Sequence, residues 1–266
     1  SFMGYTLEFV DLPGTYSLSP KSLEETVARD FLVHEMPDVV VDVVDATNLE
    51  RNLYLTLQLL EITPRVVVAL NKFDAVEKAG MQIDVEGLEE MLGVPVVPVS
   101  AFKGEGVKGL LKKVVEVATG KVRPRATIPL YDDRIEELIR KVETLLEEYP
   151  ELLEMPKRWV AARLVHLDTE VLSHLPAQKI ARLVAELKRL GCRDELRDVQ
   201  AKHLYGVASS IARKVVKIKG ETIGYKLDRL LRKPYVGLPV FVGVFLTVLA
   251  ATFEIGGFIA DFLEMG

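Results

Sequence analysis

Residues 65–74 read RVVVALNKFD, in which an unbroken apolar run leads directly into the polar group Asn71–Asp74. An apolar run without alternation is typical of a parallel strand that is covered on both faces. DVVVDVVDA at Asp38–Ala46 repeats the pattern. VPVVPV at Val94–Val99 repeats it with two prolines, which suit an outer strand because proline cannot donate to the ladder. The β-rich residues Tyr5–Val10 predict a further strand.

Helix-length stretches separate these strands, at Leu23–His34, Asn52–Glu61, Val85–Leu92 and Gly106–Thr119. Alternating strands and helices predict an α/β fold, a parallel sheet with helices on both faces, because each crossover must pack back onto the sheet. Sheets of this kind bind ligands at the carboxyl ends of their strands.

The hydrophobic period changes at Tyr131. Apolar residues between Ile135 and Leu146, and again between Ile180 and Leu190, recur at helical spacing, and Gly191 supplies a C-terminal stop. Further helices are expected at Lys157–Leu167 and Glu195–Lys217. This part predicts a small all-helical domain, with Pro124 and Pro129 marking the boundary before it.

Composition excludes several classes of protein. Among the 266 residues 49% are hydrophobic and 27% charged, near the globular average, so general disorder is not expected. The net charge of −5 argues against a dedicated nucleic-acid binder. Cys192 is the only cysteine, which rules out an intramolecular disulfide and a multi-cysteine zinc site. The four histidines form no HxxxH or HExxH pair, which favours ordinary polar roles over metal ligation, and we assign them no function.

Residues 234–253 form an apolar stretch of 20 positions without a charge, about the length that crosses roughly 30 Å of hydrocarbon as a helix. Residues 200–233 before it carry nine Lys/Arg and only two acidic residues, whereas Glu254, Asp261 and Glu264 follow it. The positive-inside rule therefore places the N-terminal side in the cytoplasm. The alternative is a buried core helix. The basic residues Arg213, Lys214, Lys217 and Lys219 fit either anionic headgroups or a solvated helix face.

Three short motifs follow expected strands in the first part of the chain. Asp11-Leu12-Pro13-Gly14 fits DxxG, which occurs by chance about once in a chain of this size. Asn71-Lys72-Phe73-Asp74 fits NKxD, which is expected only about 0.03 times per chain. Ser100-Ala101-Phe102 fits the short SAx loop. Their order and spacing resemble the third, fourth and fifth motifs of a P-loop GTPase.

Asp74 supplies the chemistry that distinguishes guanine from adenine. A carboxylate accepts two hydrogen bonds side by side, which matches the two adjacent N–H donors on the edge of guanine. Adenine lacks that donor pair and would leave the carboxylate unpaired, a difference of up to about 10⁴ in selectivity.

Longer segments resemble the FeoB family, the prokaryotic ferrous iron transport protein B. They are VDLPGTYSLSP at Val10–Pro20, SLEETVARDFL at Ser22–Leu32, DATNLERNLYLTLQLLE at Asp45–Glu61 and KLDRLLRKPYVGLPVF at Lys226–Phe241. The resemblance covers nearly the whole chain. It implies a GTPase domain, a helical domain that modulates nucleotide release, and a membrane domain that moves Fe²⁺.

The resemblance also implies roles for single residues. Asp11 and Gly14 would face Mg²⁺ and the terminal phosphate of GTP or GDP. Asn71 and Asp74 would contact the guanine, with Lys72 beneath the site. The implied base edge is formed by Ser100 and Ala101, and Leu12, Pro13, Phe73 and Phe102 complete the three GTP-binding motifs. Implied partners are Fe²⁺ as transported ion of the full protein, a membrane and a second copy of the protein, but no nucleic acid.

The chain departs from the family pattern in its phosphate site. It contains no GxxxxGK[ST], and in the family that loop, its strand and switch I would precede Ser1, so we expect the natural start to lie upstream. The strand that carries the loop lies between the expected strands at Tyr5 and Asp38, and its loss would leave two open edges. Thr15 stands where many GTPases carry a water-positioning glutamine. Intact family members hydrolyse GTP, but we assign no catalytic residue in this chain.

The sequence therefore predicts an incomplete P-loop GTPase-type sheet, a helical domain and one transmembrane helix. The expected bounds are a partial GTPase domain at 1–123, a helical domain at 131–219, a basic juxtamembrane segment at 220–233 and a membrane helix at 234–260. We expect the cytoplasmic GTP-binding and regulatory part of an iron transporter of the inner membrane, with residues 1–233 cytoplasmic. The alternative function is a membrane-anchored interaction module that neither binds nor turns over nucleotide.

Overall fold

The computed structural model describes residues 2–18, 22–126, 131–218, 230–231 and 233–264, with side chains described as far as residue 252. The chain divides into two compact units. One comprises Ser1–Glu77 with Gln82–Lys217, and the other comprises Lys78–Met81 with Ile218–Gly266.

The described strands are β1 Val40–Asp45, β2 Val66–Asn71, β3 Met81–Ile83, β4 Val96–Pro98 and β5 Val216–Ile218. The main sheet is parallel, with the order β1-β2-β4, and β3 pairs with β5 in a separate two-stranded sheet. The proline-containing strand β4 lies at an edge of the main sheet, as its sequence predicts.

Eleven helices of the α type lie within the described residues. They are α1 Leu23–His34, α2 Leu49–Ile62, α3 Phe73–Lys78, α4 Val85–Leu92, α5 Val107–Ala118, α6 Asp133–Leu145, α7 Lys157–Leu164, α8 Thr169–Ser173, α9 Ala177–Leu190, α10 Leu196–Val215 and α11 Pro234–Glu264. Each helix expected from the sequence is present, with ends that differ by a few residues at most.

Strand β2 is the centre of the core, and its residues from Val66 to Leu70 are buried on both faces. On one face Val67 packs against Val114 and Val117 of α5. On the opposite face of the sheet, Asp42 of the neighbouring strand β1 contacts α2. Its carboxylate accepts a hydrogen bond from the Thr56 hydroxyl at 2.6 Å. Burial on both faces explains the uninterrupted apolar sequence of this strand.

The expected strand at Tyr5–Val10 is wrong. Phe2 and Tyr5 close a tight turn through two backbone hydrogen bonds, and none of residues 6–10 belongs to a strand. A β-rich sequence becomes a strand only when its backbone groups find a partner, and no described strand lies beside this one. Strand β1 lies at the other edge of the main sheet, and the Val43 side chain is 61% exposed, so the prediction that both faces of this strand are covered is wrong.

Local capping fixes the helix that follows the first motif. The Ser22 hydroxyl accepts from the Glu25 N–H at 3.2 Å, and the Glu25 carboxylate accepts from the Ser22 N–H at 3.2 Å, which is a complete capping box at the start of α1. Gly93 ends α4 with φ of 67°, and a Cβ there would lie 2.1 Å from a backbone carbonyl oxygen, so only glycine fits.

The helical part packs around buried side chains of α6, α7 and α9, among them Trp159, which is 5% exposed. Gly191 caps α9 in the left-handed conformation with φ of 103°, which confirms the stop predicted there. Helix α10 packs on α2, where the rings of Tyr54 and Tyr205 stack with centroids 4.0 Å apart. The two parts therefore share an interface within one unit.

The second unit holds α11, which extends four residues beyond the predicted end at residue 260. Its window Tyr235–Thr252 has a mean hydropathy of 2.0 and no buried residue, so the helix is long and apolar enough to cross a membrane. Of the expected juxtamembrane segment 220–233, only Leu230, Leu231 and Lys233 are described. Pro129 and Lys219 also lie outside the described residues.

Candidate functional site

The carboxyl ends of β2 and β4 meet at one corner of the sheet. The Val99 N–H donates to the Leu70 carbonyl at 2.9 Å, and the Phe73 N–H donates to the Val99 carbonyl at 3.1 Å. Asn71 ends β2, and its Oδ1 accepts a hydrogen bond from the Ala101 N–H at 3.0 Å. The second and third sequence motifs are thus joined directly, as the topology of a parallel sheet requires.

A compact loop presents the third motif. Ser100 and Glu105 exchange two backbone hydrogen bonds at 3.0 and 3.2 Å, which closes the loop. Gly106 follows with φ of 78°, and a Cβ there would lie 2.2 Å from the Pro98 carbonyl oxygen. A glycine is therefore required for the loop to pack this closely on β4.

Asp74 lies in the first turn of α3, facing this loop. Its Oδ2 lies 3.4 Å from the Lys103 Nζ. The pKa of the Asp74 carboxyl lies below its ordinary value, chiefly because of the neighbouring Ser100 hydroxyl. Partial burial acts in the opposite direction, and the Lys103 ammonium lowers the pKa further. Asp74 is therefore a carboxylate at neutral pH. Phe102, also in the loop, is 99% exposed.

Lys72 adopts a left-handed backbone conformation with φ of 58°, which is uncommon for a residue with a side chain. Its Nζ donates to the Asp45 Oδ2 at 2.7 Å. Asp45 ends β1 directly opposite Asn71, and its other oxygen accepts from the Thr47 N–H at 2.9 Å. Partial burial acts to raise the pKa of Asp45, but the hydrogen bonds from Lys72 and Thr47 outweigh it, and the pKa is lowered. Backbone strain held by an ion pair is typical of functional sites.

The first motif lies in an extended segment without secondary structure. Asp11, Pro13 and Gly14 are exposed and Leu12 is half-buried. Within the described residues, no hydrogen bond or ion pair joins this motif to Asn71 or to Asp74. In the described part of the chain, direct hydrogen bonds therefore join the second and third motifs but not the first.

The segment that follows the first motif is held against the helical part. Leu18 is 1% exposed, and its N–H donates to the Gln58 Oε1 at 2.8 Å. The Leu18 carbonyl accepts from an Arg163 guanidinium N–H at 3.2 Å. Gln58 lies on α2 and Arg163 on α7, so one backbone unit contacts both parts.

A second contact ties the same parts together. Arg29 of α1, whose side chain is 3% exposed, donates to both carboxylate oxygens of Glu170 on α8, with the Nη1–Oε2 distance 2.7 Å. Asp30 accepts from the same guanidinium at 2.7 Å. The helix that follows the first motif is thereby fixed to the helical part by a bidentate ion pair.

Asp45, Lys103 and Arg163 were not among the residues predicted from the sequence. Asp45 carries a signal that could have found it, because it ends a buried strand at the same edge of the sheet as Asn71. Lys103 and Arg163 carry no such signal. Lys103 contacts Asp74 from the loop after β4, and Arg163 contacts Leu18 from α7 in the helical part.

Comparison with known proteins gives the family of each part. Residues 1–114 match the model for the ferrous iron transport protein B, and residues 131–217 match the model for the FeoB cytosolic helical domain. A fusion of Fe²⁺ transport protein A and the Fe²⁺ transporter FeoB from Porphyromonas gingivalis is 32% identical over 98% of this chain. This chain covers 33% of that relative, and it spans about a third to two fifths of the length of the curated relatives it matches.

Solved structures resemble the chain as well. The cytosolic domain of the T. maritima FeoB iron transporter in its GDP form II is 32% identical, with a TM-score of 0.69, over 82% of this chain and 83% of that one. The GMPPNP form of the same domain is also 32% identical, with a TM-score of 0.68, over 82% of this chain and 84% of that one.

Proposed function

The chain belongs to the FeoB family of ferrous iron transport proteins, and from that premise we propose that it forms the cytoplasmic GTP-binding and regulatory part of a prokaryotic ferrous iron uptake transporter. The observation that carries the proposal is the corner of the sheet at which Asn71 contacts Ala101 and Asp74 contacts Lys103 of the same loop. It combines a carboxylate with a backbone amide and a side-chain amide beside an open surface.

Guanine fits this corner by its hydrogen-bonding pattern. The Asp74 carboxylate would accept from the ring N–H and the exocyclic amino group of guanine. Asn71 Nδ2 has no hydrogen-bond partner within the described residues, so it remains free to donate to the base. Ser100 and Ala101 would border the base edge, and Lys72, held by Asp45, would lie beneath it.

Mg²⁺ and the phosphates would be held at the other end of the site. Asp11 is exposed and makes no ion pair within the described residues, and a carboxylate is a ligand that Mg²⁺ prefers. The described residues hold no group of three or more His, Cys, Asp or Glu that could bind a metal ion. This fits Mg²⁺, which is typically held by one or two carboxylates together with water and phosphate oxygens. Gly14 would let a backbone N–H approach the terminal phosphate.

Regulation would pass through the segment after Asp11–Gly14. A γ-phosphate that reorders this segment would act on Leu18, whose backbone contacts both Gln58 and Arg163. The Arg29–Glu170 ion pair would move with it. The helical part would therefore sense which nucleotide is bound.

The proposed arrangement in the membrane follows the charges. The proposed domains are a GTPase part at 1–123, a helical part at 131–219, a basic segment at 220–233 and a membrane helix at 234–260. Basic residues precede the helix and acidic residues follow it, which favours a cytoplasmic location for residues 1–233. We propose the inner membrane as the site and, from the family resemblance, self-association of the full protein. Light scattering of the purified protein tests the latter.

The alternative, a module without nucleotide binding, is not favoured, because the related cytosolic domains have been solved in GDP and GMPPNP forms. The test is a calorimetric titration of the full chain in detergent with GDP, ADP and xanthosine diphosphate. Since the 266 residues contain no GxxxxGK[ST], the nucleotides are carried to millimolar concentration. Binding of GDP but not of ADP is expected.

Asp74→Asn is the decisive variant. Xanthine carries a carbonyl oxygen where guanine carries its amino group, and an asparagine amide can donate to that oxygen. The variant should no longer bind GDP and should bind xanthosine diphosphate instead. Asp38→Asn replaces an exposed carboxylate two residues before β1 and should behave as wild type. If the wild type binds none of the nucleotides up to millimolar concentration, the result would support the alternative of a module without nucleotide binding.

A further inference from the structure

Two histidines meet across the interface between α1 and α8. The ring centroids of His34 and His174 lie 5.5 Å apart, with an angle of 44° between the ring planes. His34 is in the last turn of α1, and His174 is the C-cap residue of α8. Both residues are exposed, so solutes reach both rings.

The ring nitrogens of this pair are available. Within the described part of the chain, neither His34 nor His174 makes a side-chain hydrogen bond or an ion pair. His166 provides the contrast, because its Nδ1 lies 2.6 Å from the Gln200 Oε1 and its Nε2 lies 3.5 Å from the Asp168 Oδ2. The ring nitrogens of His34 and His174 can therefore bind a ligand, whereas those of His166 already face protein groups.

The separation of the two rings matches that of two ligands on one metal ion. A metal–nitrogen bond of about 2.1 Å places the centroids of two imidazoles on a common ion about 5.3 to 5.6 Å apart at tetrahedral to trigonal angles. The observed 5.5 Å lies within this range.

The backbone around the pair is already fixed. The Arg29–Glu170 ion pair joins the same two helices, and Glu170 lies one turn before His174. The rings are therefore brought together without the entropy cost of ordering two loops. The C-terminal end of α1 also carries a partial negative charge, which favours a cation beside His34.

We propose that His34 and His174 form a bidentate site for a divalent transition-metal ion that prefers imidazole, such as Ni²⁺, Zn²⁺ or Fe²⁺. Two protein ligands leave the remaining positions to water, so binding is reversible. An ion held there links α1, the helix that follows Asp11–Gly14, to the helical part. The site stands apart from the proposed nucleotide site and does not depend on it.

The test is a calorimetric titration of the full, untagged chain in detergent at pH 7.5, with Ni²⁺ and, separately, Zn²⁺. We expect one ion per chain. His34→Ala and His174→Ala should each weaken binding at least about tenfold. Loss of a residue that merely orients a metal ligand already lowers metal affinity about tenfold or more, and each of these changes removes a ligand itself. His203→Ala is the matched control and should bind as wild type.

The melting temperature of each variant without metal shows that it folds, and both replaced rings are exposed. The proposal is overturned if wild type binds no ion up to millimolar concentration. It is also overturned if either single variant binds as tightly as wild type, or if His203→Ala weakens binding equally. If the chain binds no nucleotide, the metal titration still tests this proposal, because the two titrations use different ligands.

Discussion

Replacing Asp42 by asparagine should stabilise the chain at neutral and alkaline pH, because this carboxylate is buried in the core beneath α2. The Thr56 hydroxyl donates to its Oδ2 at 2.6 Å, and no ion pair reaches it within the described residues. Burial raises the pKa of Asp42 to about 6, against the smaller opposite effect of Thr56. Asparagine keeps an oxygen for Thr56 and carries no charge.

The sign and the size of the effect follow from linkage. A folded-state pKa above the unfolded value means that the native state binds the proton more tightly, so stability falls as pH rises from about 3.8 through about 6. At about 1.4 kcal/mol for each pKa unit, the ionised carboxylate costs up to about 3 kcal/mol at pH 8. Between pH 8 and pH 4 the advantage of asparagine should shrink by about 2 kcal/mol, because the folded wild type takes up its proton.

Urea unfolding of the full chain in detergent measures this difference. The fluorescence of Trp159, the only tryptophan, reports the unit that contains Asp42. Asp38→Asn, at an exposed position two residues before the same strand, is the control and should leave the free energy of unfolding within about 0.5 kcal/mol of wild type. The reasoning is refuted if Asp42→Asn is no more stable than wild type at pH 8, or if its advantage is the same at pH 4.

Three further predictions concern packing and access. Gly93→Ala should cost clearly more stability than Gly120→Ala in urea unfolding, because both have a positive φ but only at Gly93 would the new Cβ lie 2.1 Å from a backbone carbonyl oxygen; equal costs would contradict this. Glu170→Ala should lower the free energy of unfolding by about 1 to 3 kcal/mol, since it leaves the buried Arg29 guanidinium without its bidentate partner; a loss near zero would show that the pair contributes nothing. Cys192 should react slowly with iodoacetamide at pH 8 and quickly in urea, because burial raises the pKa of its thiol to about 11; rapid labelling of the native chain, followed by mass spectrometry, would show otherwise.

Lys72 holds a left-handed backbone conformation that is unfavourable for a residue with a side chain. Its ion pair with Asp45 is partly exposed, and exposed ion pairs contribute little to the stability of a fold. Strained residues of this kind cluster at sites that bind a ligand.

Much of this protein could be predicted from neighbouring residues. The apolar run at Arg65–Leu70 predicted a buried parallel strand, and the prolines at Val94–Val99 predicted an edge strand. The nearly continuous β-branched run at Asp38–Ala46 predicted a parallel strand correctly, but β1 is an edge strand with an exposed Val43 and is not buried on both faces. Spacing at three and four residues predicted α6 and α9. These signals are local because the period of a helix or strand is set by residues a few positions apart.

Contacts between distant segments were decided only by the tertiary structure. Tyr5–Val10 has the composition of a strand, yet no described strand offers its backbone a partner. Leu18 is buried by residues from two helices that lie far along the chain, and His34 meets His174 only because α1 packs on α8. A sequence states which groups could pair, but which of them do depends on long-range chain closure and on the packing of whole elements.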